Sequence, residues 1–163
     1  MSEFEDRLIE LLPRLRRFAR TLNRDAGSAD DLLGTSLENA LRARAQWQAG
    51  TRLDSWMYRI IRNAWIDEIR RRGRLGQHEA PPEAADIVGV DPLPALEARM
   101  NAAAVGTAIL ALPDEQREAV ALVLVEGLSY REAADALNVP IGTLTSRLGR
   151  GRVALLAAVG DMT

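Results

Sequence analysis

The stretch that decides the fold covers residues 129–148 and reads Ser129-Tyr130-Arg131-Glu132-Ala133-Ala134-Asp135-Ala136-Leu137-Asn138-Val139-Pro140-Ile141-Gly142-Thr143-Leu144-Thr145-Ser146-Arg147-Leu148. Ser129 followed three residues later by Glu132 fits a capping box, which marks the start of a helix. Asn138 tolerates the left-handed backbone conformation that a tight turn often needs. Ala133 and Ala134 are small and allow a second helix to cross the first closely. The pattern therefore predicts a helix-turn-helix.

The second helix of this motif carries the candidate DNA contacts. Leu137, Val139 and Leu144 supply the apolar contacts between the two helices. The second helix should then expose hydroxyl and guanidinium groups at Thr143, Thr145, Ser146, Arg147, Arg150 and Arg152. Such groups suit phosphate oxygens and guanine edges in a major groove. An ordinary helical hairpin with a solvated polar face is the alternative, but the absence of acidic residues from 136 to 160 disfavours it. Gly149 and Gly151 are poor helix formers, so we expect the end of this helix to fray.

The residues just before the motif also read as helical. A helix should run from about Ala95 to Leu112 and end at Pro113. Asp114 begins the next helix, and Gly127 ends it at a position where glycine is favoured. Residues 119–125 are apolar and short enough to be ambiguous with a strand.

A Gly/Pro-containing linker separates this C-terminal part from an N-terminal helical part. The linker holds Gly73, Gly76, Pro81, Pro82, Gly89, Pro92 and Pro94. Proline removes backbone donors, so no long helix should cross this stretch. The sequence thus predicts an all-α protein of two small helical domains, residues 1–73 and 95–163, joined by an acidic linker over residues 74–94.

Three helices are predicted in the N-terminal domain. The first covers about residues 3–22, and Pro13 inside it is a site for a kink or a break. Ser28 is a suitable N-cap for the second, and Asp54 or Ser55 for the third. The apolar positions expected to be buried are Leu8, Leu11, Leu12, Leu15, Phe18, Ala19 and Leu22 in the first helix, Leu33, Leu37, Ala40 and Leu41 in the second, and Met57, Ile60, Ile61 and Ala64 in the third.

Aromatic residues and arginines alternate in and around the third helix. Trp47, Trp56, Tyr58 and Trp65 are four of the seven aromatic residues. They are interleaved with Arg52, Arg59, Arg62, Arg70, Arg71 and Arg72. Aromatic faces can stack on unpaired bases while arginines hold phosphates. For Trp47 and Trp56 a packing role in the core is favoured, whereas the spacing of Tyr58, Arg62 and Trp65 puts them on one helical face and opens a surface role for Trp65. The arginine run at 70–72 also fits a solvated helix C-terminus.

The charge distribution supports a nucleic-acid partner although the net charge is −2. Residues 1–75 carry fifteen arginines and eleven acidic residues, whereas residues 76–98 carry five acidic residues and no basic one. Residues 136–160 carry arginines and no acidic residue. The acidic segment therefore separates two basic parts of the chain. The acidic residues Glu79, Glu83, Asp86 and Asp91 lead to the hypothesis that this segment mimics nucleic acid.

Composition excludes several other classes of function. Cysteine is absent, and the lone histidine, His78, lies in a polar loop-like stretch, so no metal site or cofactor is expected. No apolar run approaches the ~20 residues that span a bilayer, and the acidic N-terminus is unlike a secretory signal. We therefore expect no membrane insertion and a cytoplasmic location. No nucleophile, phosphate-binding loop or catalytic set argues for an enzyme.

The C-terminal domain resembles that of the extracytoplasmic function (ECF) sigma factors. The resemblance rests on Leu112-Pro113, Glu126-Gly127-Leu128-Ser129-Tyr130, Val139-Pro140-Ile141-Gly142-Thr143 and Ser146-Arg147-Leu148. It implies that this domain reads the −35 promoter element. Thr145 stands where the family often has lysine, which removes one phosphate contact.

The N-terminal domain resembles the same family in two segments. Residues 29–33 resemble the segment that docks on the clamp of the polymerase largest subunit, and the resemblance assigns core binding to Asp30, Asp31, Leu33, Leu37 and Glu38. Residues 50–71 resemble the −10-reading and melting segment, which assigns DNA contacts to Arg52, Tyr58, Arg59, Arg62, Asn63, Trp65 and Arg70. In the family, the loop here at about residues 48–54 captures a flipped base. Gly34 and Thr35 depart from the family's glutamine and acid, which predicts weaker or specialised core binding.

The resemblance implies promoter DNA, core RNA polymerase (the clamp of the largest subunit and the flap of the second subunit) and an anti-sigma factor as partners. The implied function is promoter-specific initiation in a stress or envelope response. Two alternatives remain: a sigma-like decoy that titrates an anti-sigma factor, and a stand-alone helix-turn-helix regulator. The Gly34-Thr35 departure favours the decoy, but decoys usually carry an added regulatory domain for which 163 residues leave no room. The aromatic and arginine cluster of the first domain disfavours the stand-alone regulator.

Overall fold

The computed structural model describes residues 2–73 and 102–161, and in these two ranges the chain is helical without any strand. The helical content of the described residues confirms the predicted all-α fold. The chain divides into two compact units. The linker predicted over residues 74–94 and the predicted start of a helix at Ala95 lie outside the described residues.

The first unit is a bundle of three helices. They are α1 (Glu3–Leu22), α2 (Ala26–Arg42) and α3 (Leu53–Gly73), with a 3₁₀ turn over Arg44–Gln46 between the last two. Arg14 contacts Asp54 and Phe18 contacts Tyr58, so α1 and α3 run parallel with a constant offset. α2 is antiparallel to α3, since Ser28 near the start of α2 lines a cleft together with residues near the end of α3.

The helix starts in this unit differ from two of the predictions. The N-cap of α2 is Asp25, whose carboxylate accepts hydrogen bonds from the backbone N–H and the hydroxyl of Ser28, both at 2.8 Å. The predicted cap at Ser28 is wrong because the charged acceptor three residues earlier starts the helix sooner. The predicted caps of α3 are also wrong, because this helix begins at Leu53 and so contains both Asp54 and Ser55. α1 matches its predicted bounds and does not end at Pro13, which is exposed.

The core of the first unit follows the apolar stripes with some corrections. The buried side chains are Phe4, Leu8, Leu15, Phe18, Ala19 and Leu22 of α1, Ala29, Leu32, Leu33, Ser36 and Ala40 of α2, and Leu53, Asp54, Met57, Tyr58, Ile61 and Trp65 of α3. Leu11, Leu12, Leu37, Ile60 and Ala64 were expected to be buried but are half-buried. Leu41 is 40% exposed, because the true stripe of α2 passes through Leu32 and Ser36 instead.

The second unit is built around the predicted motif. Its helices are α4 (Ala102–Leu110), α5 (Asp114–Val120), α6 (Tyr130–Leu137) and α7 (Ile141–Asp161), with a π-helical turn over Ala121–Val125 that continues α5. This turn resolves the ambiguity at residues 119–125 in favour of a helix. Asp114 begins α5 as predicted, and Gly127 follows the π-helical turn with φ +76°.

Candidate nucleic-acid interfaces and polymerase-docking face

The helix-turn-helix is held by short-range bonds that the sequence predicted. Ser129 Oγ accepts from the backbone N–H of Glu132 at 3.1 Å, and Glu132 Oε1 accepts from the backbone N–H of Ser129 at 2.8 Å. Asn138 has φ +55°, in the left-handed region. The Val139 N–H then donates to the Ala134 carbonyl at 3.0 Å and closes the turn. The start of α7 is therefore fixed relative to α6.

α7 has an inner and an outer face. Leu144, Leu148, Gly151 and Leu155 recur at helical spacing and are buried. On the outer face Thr145 is exposed, and its hydroxyl donates to the Ile141 carbonyl at 2.9 Å. The other predicted hydroxyl contacts, Thr143 and Ser146, are half-buried.

The arginines of α7 are less available than the sequence predicted. Arg150 is only 6% exposed, so the expectation that it lies on the exposed face is wrong. The side chain of Arg147 is 14% exposed and pairs with Glu115 of α5 at 3.5 Å. Arg152 is half-buried and donates from Nη1 to the Tyr130 hydroxyl of α6 at 3.1 Å. These guanidinium groups are therefore largely engaged in or near the interior of the unit, which helical periodicity alone does not reveal.

α7 also continues past the two glycines that were expected to fray it. The helix runs unbroken from Ile141 to Asp161. Gly151 lies against Val120 of α5, which holds this part of α7 in place. Packing against α5 thus outweighs the low helix propensity of glycine here.

In the first turn of α3, the buried carboxylate of Asp54 accepts hydrogen bonds from two arginines. Arg52 donates to Asp54 twice, from Nε to Oδ1 at 3.0 Å and from Nη2 to Oδ2 at 2.6 Å. Arg14 of α1 donates to the same Oδ2 at 3.1 Å. Burial alone would raise the pKa of Asp54, but the hydrogen bonds from Arg52, Ser55 and Arg14 hold it below its ordinary value. Arg52, a predicted −10 contact, is therefore held at the end of the loop predicted to capture a base.

That loop turns sharply at Gly50, which has φ +90°. The hydroxyl of Thr51 donates to the Gln48 carbonyl at 2.6 Å, and the Thr51 N–H donates to the same oxygen at 3.1 Å. Trp47 and Trp56 both pack on Phe4, with ring centroids 5.6 and 5.9 Å away. These contacts agree with the interpretation of both tryptophans as packing residues.

The outer face of α3 presents only some of the predicted −10 contacts. Arg59, Asn63 and Arg70 are exposed, and Arg62 is half-buried. Tyr58 is fully buried against Phe18, with ring centroids 5.0 Å apart. Trp65 is 5% exposed, so the predicted surface role for its ring is wrong. Both aromatic rings lie on the same side of α3 as Ile61, which is the side that packs on α1 and α2.

The arginine run at the end of α3 divides into paired and unpaired members. Arg71 Nη2 lies 2.8 Å from both oxygens of Glu68, and Arg72 Nε lies 3.1 Å from Oε1. The hydrogen bond from Arg71 is the main reason that the pKa of Glu68 is lowered, and the same bond raises the pKa of Arg71. Arg70 and Arg59 make no ion pair with any described residue. They are the arginines of α3 that are left to meet an outside anion.

The outer face of α2 holds most of the predicted polymerase contacts. Asp30, Asp31 and Glu38 are exposed, and Leu37 is half-buried. Leu33 is buried, as its place in the predicted apolar stripe of α2 requires, so it supports the bundle core. Gly34 and Thr35, where the sequence departs from the family pattern, are also exposed on this helix.

Sequence reasoning missed the contribution of α1 to these sites. Arg14 reaches Asp54 across 40 residues of sequence, a separation over which no local pattern operates. The sequence offered a signal only for the local contact between Arg52 and Asp54, because Asp54 is an acidic residue two positions after Arg52 at the start of a predicted helix. Residues 2–73 and 102–161 contain no cluster of side chains suited to a metal ion and no helix long and apolar enough to cross a membrane.

Comparison with known proteins agrees with this division into two units. Residues 8–75 match Sigma-70 region 2, and residues 102–155 match Sigma-70 region 4. Both units thus fall within the class of sigma-70-type proteins. The chain is 33% identical to the ECF RNA polymerase sigma factor EcfG of Rhodopseudomonas palustris, over 96% of this chain and 84% of that protein. It is also 33% identical to the ECF RNA polymerase sigma factor SigE of Mycolicibacterium smegmatis, over 93% of this chain and 60% of that longer protein.

A solved structure gives the same result. The sigma factor RpoE of Bartonella quintana, in complex with the anti-sigma factor NepR, superimposes with a TM-score of 0.78 at 28% identity, over 98% of both chains. The chain belongs to the ECF RNA polymerase sigma factors, alternative sigma factors that direct transcription by RNA polymerase.

Proposed function

We propose that the chain directs initiation with three separate surfaces: the outer face of α2 for core polymerase, the outer face of α3 with the preceding loop for the −10 element, and the outer face of α7 for the −35 element. One observation carries the proposal furthest. α7 begins in the part of the chain that matches Sigma-70 region 4. Thr145 is exposed on its outer face, while Leu144, Leu148 and Leu155 on its inner face are buried and hold the helix in the unit.

The proposed −35 contact relies on hydroxyl groups more than on arginines. Thr145 is the exposed hydroxyl residue of this face, and the nearby Thr143 and Ser146 are half-buried. Hydroxyl groups can donate to or accept from base edges and phosphates. Because Arg147 and Arg150 are mostly buried, they support the helix instead of supplying free positive charge.

The proposed −10 contact combines unpaired arginines with a fixed loop. Arg59 and Arg70 are available to phosphates, and Asn63 lies between them on the same face of α3. Arg52 enters through the loop, and its orientation is set by Asp54. A flipped base needs a preformed pocket to offset the cost of unstacking, and the turn at Gly50 supports such preorganisation.

The proposed core-docking face is acidic and contains a gap in side-chain cover. Asp30, Asp31 and Glu38 provide negative charge, and Leu37 and Leu41 provide apolar contact. Gly34 lies among them, and apart from its chain neighbours and the backbone of its own helix no atom lies within 4 Å of where its Cβ would be. A partner helix on the clamp can therefore approach the α2 backbone closely.

We further propose that an anti-sigma factor holds the protein inactive, because the similar RpoE of Bartonella quintana was solved with the anti-sigma factor NepR. The protein would act in the cytoplasm, where core polymerase is found, and without catalytic chemistry of its own. An envelope or stress response would release it.

Binding to purified bacterial core polymerase, followed by run-off transcription from fragments of the source genome, tests the proposal. Tight binding with specific start sites supports it, and the start sites then define both promoter elements. Core binding without transcripts would favour the decoy, whereas DNA binding without core binding would favour the stand-alone regulator. An Asp30→Arg/Glu38→Arg variant should lose core binding while keeping its helicity. An Arg16→Glu variant on the exposed face of α1 serves as a charge-reversal control of opposite sign.

A further inference from the structure

Gly151 marks the place where α7 comes closest to α5. A Cβ at position 151 would lie 2.7 Å from Val120 Cγ2, and 3.6 Å from both Cβ and the carbonyl oxygen of Gln116. Val120 is fully buried and is the last residue of α5, so it has no solvent side toward which to move. The two helices are therefore in contact at a distance that only glycine permits.

Two other helical glycines have open surroundings and lack such a contact. Gly106 in α4 and Gly142 in α7 have no atom within 4 Å of a Cβ at their positions. Alanine is the better helix former at an interior position. A glycine at 151 is thus disfavoured by local propensity and favoured by the approach of Val120.

The contact has a consequence for the outer face of the same helix. Thr145 lies six residues before Gly151, which is roughly 9 Å along the axis of a continuous helix. Ordinary van der Waals contact begins at 3.4 Å, and a methyl group at 151 would lie 2.7 Å from Val120 Cγ2. Residues 151 and 120 must therefore move apart by 0.7 Å to accept this methyl group. Recognition groups need placement to within about 0.5 Å of their working geometry.

We infer that Gly151 is a positioning residue for promoter recognition: by seating α7 on Val120 it sets the direction in which Thr145 and Ser146 meet the −35 element. The inference rests on the proposed −35 role of α7. Gly151 itself does not contact the DNA. The orientation of the recognition face depends on the volume available where residues 120 and 151 meet, and not only on the side chains of that face.

The test compares the full chain with the variants Gly151→Ala, Val120→Ala, Gly151→Ala/Val120→Ala and Gly106→Ala, each assembled with core polymerase. The readout is the ratio of transcripts from a promoter with its native −35 element to those from the same promoter with that element scrambled. A general loss of folded protein lowers both transcripts equally and leaves the ratio unchanged. The ratio therefore reports positioning and not stability.

We expect Gly151→Ala to lower this ratio about tenfold, the double variant to restore it to within about twofold of the natural chain, and Gly106→Ala to leave it unchanged. An unchanged ratio for Gly151→Ala overturns the inference, and so does a lowered ratio that Val120→Ala fails to restore. If Gly151→Ala does not fold, the double variant decides: a ratio like that of the natural chain supports the inference, and a lowered one overturns it. A natural chain whose transcripts ignore the −35 element overturns the proposed function itself, which separates the two failures.

Discussion

Nη2 of Arg14 lies 3.1 Å from Oδ2 of Asp54, and this ion pair joins the middle of α1 to the first turn of α3. The carboxylate is buried, while the guanidinium is about one-third exposed. The same carboxylate also orients Arg52, so it connects the stability of the bundle to the geometry of the proposed −10 loop.

Acid should weaken the first unit partly through Asp54. The pKa of Asp54 is lowered on folding, so the stability that its carboxylate contributes is present above its ordinary pKa and is lost as the pH falls through the lower pKa of the folded state. We expect Asp54→Asn to lower the free energy of unfolding at pH 7 by about 1–2 kcal/mol and to flatten its decline below about pH 4. Urea unfolding between pH 2.5 and 7 measures both effects. An unchanged acid slope in the variant would show that Asp54 is not responsible.

Two glycines with equally open surroundings should respond to alanine in opposite directions. Gly34 and Gly50 both have no atom within 4 Å of a Cβ position, but Gly34 is in the middle of a helix and Gly50 has φ +90°. Gly34→Ala should stabilise the protein by about 0.5–1 kcal/mol, and Gly50→Ala should destabilise it by about 1 kcal/mol or more. Thermal unfolding of the two variants makes the comparison. Core affinity measured on Gly34→Ala then shows whether the gap in the docking face matters.

The unpaired arginines of α3 should contribute more to DNA binding than the paired one. Arg59 and Arg70 have no acidic partner among the described residues, whereas Arg71 is held by Glu68 at 2.8 Å. For the holoenzyme on a single-stranded −10 oligonucleotide, we expect Arg59→Ala and Arg70→Ala each to reduce the slope of log affinity against log salt by about 0.7. Arg71→Ala is the matched control and should have a smaller effect. Equal effects at all three positions would mean that the Glu68 pair opens on binding.

On α7, the residues that contribute to promoter recognition should differ from those that contribute to stability. Thr145→Ala removes an exposed hydroxyl, so it should reduce −35-dependent transcription about fivefold and change the free energy of unfolding by less than about 0.5 kcal/mol. Arg150→Ala removes a buried group and should lower the free energy of unfolding by about 2 kcal/mol or more. Transcription assays and chemical unfolding of both variants decide the matter. A stable Arg150→Ala protein with lost −35 recognition would restore the role that the sequence first predicted for this arginine.

The capping box of the helix-turn-helix should be measurable by itself. Ser129→Ala leaves the Glu132 N–H without its acceptor at 3.1 Å, and we expect a loss of about 1 kcal/mol. Ser129→Asp keeps an acceptor and should retain most of the stability. The second unit's unfolding transition, followed by circular dichroism, provides the measurement. A loss of equal size for both variants would assign the effect to something other than capping.

Features encoded by neighbouring residues were predictable from the sequence. The capping box at Ser129 and Glu132, the turn at Asn138 and the helix start at Asp114 each depend on residues within a few positions of one another. A competing local signal explains the error at α2, where both Asp25 and Ser28 could serve as a cap and the charged one starts the helix.

Which side of a helix faces inward was harder to predict, and this accounts for the errors in the candidate sites. Helical spacing placed Tyr58 and Trp65 on one face with Arg62, but the contacts of α3 with α1 and α2 decide that this face is interior. Arg150 was read as exposed because arginine usually is. Only the packing of α7 in its unit shows otherwise. Long-range partners such as Arg14 and Asp54 left no mark in the local pattern.

The π-helical turn at Ala121–Val125 bears on how this chain can change length in evolution. The N–H of Glu126 donates to the carbonyl of Ala121 at 2.9 Å, a bond that encloses one more residue than an α-helical turn does. Loss of one residue there would restore ordinary helical bonding, whereas the same deletion inside α7 would rotate every later side chain by about 100°. We therefore expect single-residue insertions and deletions among natural relatives to occur at this turn, with the recognition helix kept in register.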